Sequence, residues 1–217
     1  RLRTGLEALS EIDMKQVRKI SSPSDRLDHL VRVISSRRFL KMESLNNEVP
    51  FFIYPFDAAD AVREAGMFEK LLRQLDEKGV SALTINLYDL AIEILEGRGI
   101  LDRLIDMESG LEKDQLKETL QGVLDPEAHL VPAIQNKAEG HEFDVLLITG
   151  VGEVFPYIRS HNVLNNLQRV AKGYPTVMFF PGAYTHEMAT GASLDLFGKL
   201  HDDKYYRAFN ILYVEGT

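Results

Sequence analysis

Residues 144–159, DVLLITGVGEVFPYIR, decide the fold. Val145-Leu146-Leu147-Ile148 is an unbroken apolar run, the signature of a strand covered on both faces. Gly150-Val151-Gly152 ends that run, and Pro156 suits the first position of a helix whose buried face would be Tyr157, His161, Leu164 and Leu167. Residues 175–184, PTVMFFPGAY, form a second strand that stops at a glycine loop. Strand ends of this kind are where an open α/β sheet places its ligands.

Outward from this stretch the same alternation recurs. Phe51-Phe52-Ile53-Tyr54 reads as a strand stopping at Pro55, with a helix from about Asp57 burying Ala61, Ala65, Phe68, Leu72 and Leu75. Residues 80–87 form the next strand and 88–96 the next helix. Residues 209–214 read as a closing strand. Strand-helix alternation predicts parallel pairing through right-handed crossovers. The expected fold is an α/β open sheet, mostly parallel and five-stranded, with helices on both faces.

Two segments depart from the alternation. Residues 1–48 read as an N-terminal helical segment, in which Leu6, Leu9, Val17 and Ile20 mark one helix. Ser22 (N-cap), Pro23 and Asp25 start a second, with Leu27, Leu30, Val31 and Ile34 on its inner face. Within the α/β domain at 49–217, a helical insertion spans about 97–141. Its segments are 100–107, 113–124 and 127–138; Asp125-Pro126 is a helix start, and Pro132 should kink or end its helix.

Composition bounds the function. The 217 residues carry a net charge of −8 and no cysteine, which removes disulfides and thiolate chemistry. No apolar run reaches the ~18 residues of a membrane span and no secretion signal is present, so a cytoplasmic location without membrane contact is expected. A start at Arg1 reads as a processed or trimmed terminus. Charge is uneven: residues 1–48 hold ten Lys/Arg against seven Asp/Glu, the remainder fifteen against twenty-six. The basic arm is either a solvated helix surface or a docking point for DNA or an acidic partner.

Catalytic motifs are missing. Gly150-Val151-Gly152-Glu153 invites comparison with phosphate loops, yet Phe155 stands where the dinucleotide fingerprint needs its third glycine, and no Walker A lysine exists. Glu153 reads as an acid, base or metal ligand, or as a favourable charge at a helix start. Arg159 reads as an anion contact or a surface group. The six histidines show no metal spacing and G-x-S-x-G is absent. Thr190-Gly191-Ala192-Ser193 reads as a loop with no strand before it. No cofactor is expected. Near a Walker B position, DVLLITGVGE makes the domain resemble a degenerate P-loop NTPase-like core, although Asp144 precedes its strand.

Several motifs in fixed order carry a more specific resemblance: T-G-V-G followed by Pro156, an aromatic and Arg159; Val163-Leu164-Asn165-Asn166-Leu167; F-F-P-G-x-Y at 179–184; L-F-G at 196–198; and Y-Y-R-A-F at 205–209. Phe52-Ile53-Tyr54 with Asp57, and Asn86-Leu87-Tyr88-Asp89-Leu90, extend it over about 50–214. This order resembles the BrxB family of bacteriophage exclusion (BREX) defence systems. The resemblance implies a small cytoplasmic component of a multiprotein defence system, beside a PglZ-type phosphatase-like protein, a large BREX ATPase and a methyltransferase; with catalytic motifs missing, a noncatalytic assembly subunit is the expected role. No catalytic residue is implied. Interface anchors would come from Arg159, Tyr184, Tyr205, Tyr206 and Arg207, with Gly182 in the same strand-end loop. The alternative is nucleotide or nucleic-acid binding, with Gly150, Gly152, Arg159 and Arg207 around an anion. Tyr205, Tyr206 and Phe209 read equally as core.

Overall fold

The computed structural model describes residues 22–43, 50–187, 191–197, 200–203 and 208–216. Five parallel strands form the sheet: β1 (Phe51–Phe56), β2 (Ala82–Asn86), β3 (Val145–Thr149), β4 (Thr176–Glu187) and, last in the chain, Phe209–Asn210. Their spatial order is β2, β3, β4, β1 and then Phe209–Asn210. β4 outlasts the parallel sheet. From Gly182 it pairs antiparallel with β5 (Gly191–Leu196), which pairs in turn with β6 (Leu200–Asp203), so Phe209–Asn210 is β7.

Alternation along the strands explains why the runs are apolar throughout. Phe51, Ile53, Leu146, Ile148, Met178 and Phe180 enter one core cluster. Phe52, Tyr54, Val145, Leu147, Val177 and Phe179 enter another on the opposite face. With both faces covered, neither parity can be polar.

The second cluster is roofed by α1 (Pro23–Ile34), the short α2 (Arg37–Leu40) and α3 (Ala61–Glu77). Ser22 caps α1, its hydroxyl accepting from Asp25 N at 3.1 Å with Pro23 in the first turn. His29 on α1 bonds Ile211 O through Nε2 at 3.0 Å and tethers the chain's end. Burial lowers its pKa, and Arg32 adds to that. The first cluster is covered by α4 (Leu87–Gly97), α7 (Val131–Glu139) and α8 (Ser160–Val170). α5 (Leu101–Glu108) and α6 (Lys113–Val123) lie outside these and contain no fully buried residue. Asp125 Oδ1 accepts from Glu127 N and Ala128 N at the start of a π-helical turn, Pro126–Leu130. Pro132 falls in the first turn of α7, where its missing N–H costs nothing.

Several expectations are corrected. β1 runs through Pro55 to Phe56, because β7 reaches only Phe52 and Ile53 and leaves that side without a ladder to interrupt. The closing strand is only Phe209–Asn210; Asn210 Oδ1 then accepts from Leu212 N at 3.0 Å and turns the chain into a 3-10 helix, Ile211–Tyr213. Pro156 does not begin a helix. It follows a cis peptide within turns, and α8 starts at Ser160, because Val151, Val154 and Ile158 are drawn into the core and hold the loop as turns. Gly191 opens a strand, since the extended β4 provides a partner. α3 buries Glu64, Met67, Leu71 and Leu75, not the Ala61-Ala65 stripe. The first helix expected, around residues 6–20, lies outside the described residues.

Candidate functional site

The C-terminal ends of β1 and β3 and the end of the parallel part of β4 surround a cleft of about 270 Å³. Phe56 and Ala58 form one side, and Ala61, Glu64, Ala65 and Phe68 of α3 another; Thr149 to Glu153, Phe179, Pro181 and Phe197 also line it. The Ala61-Ala65-Phe68 stripe is thus a cleft wall. Small side chains there leave the space that larger ones would fill.

The glycines serve packing. Gly150 has φ +74°, and a Cβ on it would strike the Asn86 side chain, 2.9 Å from Cγ and 3.0 Å from Leu87 N. Asn86 Oδ1 is already accepting from Tyr88 N at 2.8 Å, as the cap of α4. A Cβ on Gly152 would lie 2.9 Å from Pro181 Cγ and 3.0 Å from the Phe197 ring. Gly182 passes so close to the Asp195 carbonyl that no side chain fits. Close approach of backbone to protein explains each glycine without an anion.

Phe197 holds a left-handed φ of 56°, a conformation disfavoured for residues with a Cβ. Its N–H donates to Pro181 O at 2.9 Å and its ring meets Phe155 edge-on at 6.2 Å. It remains 39% exposed at the mouth of the cleft. A second groove of about 370 Å³ shares Phe56, Ala58 and Phe197 with the first, and adds Arg26, Asp57 and Gly182.

The charges are mainly acidic. Glu153 is exposed on the rim, and its N–H donates to Gly150 O at 3.1 Å within the turn. Asp57 caps the turn after β1, accepting from Ala59 N at 2.9 Å. Glu64 is 3% exposed; Oε2 accepts from the Tyr54 hydroxyl at 3.0 Å, and Arg26 Nη1 stands 3.8 Å from Oε1. Burial raises the Glu64 carboxyl above its ordinary range, against the opposing pull of Tyr54 and Arg26. Burial also pushes the Tyr54 hydroxyl up, and the Glu64 charge adds to it.

A pH prediction follows from Glu64. Its folded pKa is raised, so between the unfolded and folded values the native state binds more protons, and stability falls as pH rises through that window. Urea unfolding from pH 4 upward should show this decline in the wild type. It should flatten in Glu64→Gln, which keeps an acceptor for Tyr54; an unchanged slope would refute the assignment.

The other expected site residues are scattered. Gly150, Gly152 and Glu153 line the cleft and Gly182 lines the groove, while Arg159 is exposed outside both, ahead of α8. Six residues lie between Glu153 and Ser160, so it does not sit at a helix start. Tyr184 is buried; its hydroxyl donates to Ala208 O at 2.5 Å, and burial pushes its pKa up to about 12. Tyr205, Tyr206 and Arg207 lie outside the described residues. Asp144 is at the opposite end of β3, its Oδ2 accepting from Ser81 N at 2.9 Å. Sequence reasoning missed Phe56, Glu64 and Phe197. Only the L-F-G motif hinted at the last.

Among the described residues, no group of three or more His, Asp or Glu could hold a metal, and no helix is long and apolar enough to cross a membrane. Among the described residues, no Lys, Arg or His lines the first cleft, so none of them offers an anion a cationic partner there.

Comparison with known proteins agrees with the motif order. No solved structure matches significantly. A BREX protein BrxB from Bacillus cereus is 34% identical over 194 residues, covering 87% of this chain and 97% of that protein. One from Escherichia coli is 29% identical over 187 residues, covering 86% and 90%. The family model described as BREX protein BrxB matches residues 83–211. The chain therefore belongs to the BrxB family of BREX proteins.

Proposed function

We propose that this protein is a noncatalytic assembly subunit of a BREX phage-defence complex in the cytoplasm, docking other BREX proteins through its strand-end surface. The observation that carries this reading is the cleft itself: mainly apolar walls from Ala61, Ala65, Phe68 and Phe197, with no lysine, arginine or histidine among the described lining residues. Such a surface suits protein contact better than phosphate or catalysis. The PglZ-type protein, the large ATPase and the methyltransferase are the partners we assign. We further infer a degenerate nucleotide-binding core. A cleft remains at the C-terminal edge of a parallel sheet, where nucleotides bind in such folds, but Asn86 and Phe197 pack against the glycines that would approach a phosphate.

Affinity purification of the tagged chain from cells carrying the complete system tests the assignment. At least one other BREX protein should be retained at near-equal amount. Recovery of the chain alone would overturn the reading, and heat on titration with ATP or short duplex DNA would favour the nucleotide or nucleic-acid alternative.

A further inference from the structure

We propose that the cleft and its adjoining groove receive a short basic segment of the partner protein, which inserts one large apolar side chain between α3 and the loop after β3. The inference rests on the assembly reading and specifies its contact. Size comes first. A space of about 270 Å³ lies below the ~300–1,000 Å³ typical of small-molecule sites, and suits a single anchoring side chain.

The walls agree with such an anchor. Ala61 and Ala65 are exposed on α3, where no described residue covers them. Phe197, which also lines the cleft, is 39% exposed, so part of the rim is apolar as well. Apolar surface gathered around a concavity is the usual form of a hot-spot pocket.

Charge selects the flanking residues. Glu153 stands on the cleft rim and Asp57 on the groove rim. Two nearby arginines among the described residues already face carboxylates: Arg63 pairs with Asp60, and Arg26 stands by Glu64. A segment entering here therefore meets Glu153 at the cleft and Asp57 at the groove. Lysine or arginine flanks are attracted and acidic flanks repelled.

The test compares full-length wild type, Ala65→Trp, Glu153→Lys and the control Lys172→Glu as tagged baits in cells carrying the complete system. Ala65→Trp fills the cleft from an exposed position and Glu153→Lys reverses the rim, so each should lower partner yield by about tenfold or more while the control does not. Thermal unfolding midpoints should stay close to wild type; if the tryptophan variant unfolds early, Glu153→Lys decides. Short overlapping peptides tiled across the retained partner should bind wild type only where a large apolar residue lies among basic ones, and should not bind Ala65→Trp. Undiminished partner yield in both variants overturns the cleft while leaving the assembly role standing. A wild-type bait that retains nothing overturns both. Preference for acidic peptides, or a homodimer that Ala65→Trp dissociates, also overturns the inference.

Discussion

Gly150→Ala is expected to destabilise the protein by about 2–4 kcal/mol. An alanine at φ +74° carries a left-handed penalty of roughly 1–2 kcal/mol. Its Cβ would also displace the Asn86 carboxamide and press on Leu87 N. Asn86 caps α4 by accepting from Tyr88 N at 2.8 Å, and a lost cap costs about 0.5–2 kcal/mol. Urea denaturation at neutral pH measures the sum. Gly173→Ala is the control, because a Cβ there has nothing within 4 Å and no positive φ; its effect should stay within ~0.5 kcal/mol. A loss at position 150 below about 1 kcal/mol would mean that the loop rearranges freely.

Phe180→Ala should cost still more, about 3–5 kcal/mol, from lost transfer energy and a residual cavity. Phe180 is fully buried, on the strand that lies between β1 and β3, with α8 on the same face of the sheet. Its backbone pairs with Pro55, and its ring would be 2.8 Å from any Cβ added at Gly182. Neighbours this constrained cannot collapse into the vacated volume. Tyr213→Ala, at a side chain 48% exposed, should stay within ~0.5 kcal/mol. Equal effects from the two would refute the packing argument.

The strands were legible because two-sided burial leaves a purely local trace: β1, β3 and the parallel part of β4 are apolar at both parities. Ser22 and Asp125 were legible for a related reason, since a cap bonds an N–H only two or three residues away. The cleft was less legible. Its alanine stripe was visible but read as core, because periodicity locates an apolar face without saying what covers it. Glu64 carried no signal at all, since its burial depends on Tyr54 and Arg26 from other elements.

From the sequence alone come the parallel α/β layering and the motif order of the BrxB family, both written in short-range patterns of side-chain type. Only the tertiary structure decided the rest. It showed that Gly150 and Gly152 make room for Asn86, Pro181 and Phe197, that Tyr184 is interior, and that β4 extends into a hairpin. Those outcomes depend on contacts between residues far apart in the chain, whose free energy is set by what each finds opposite it.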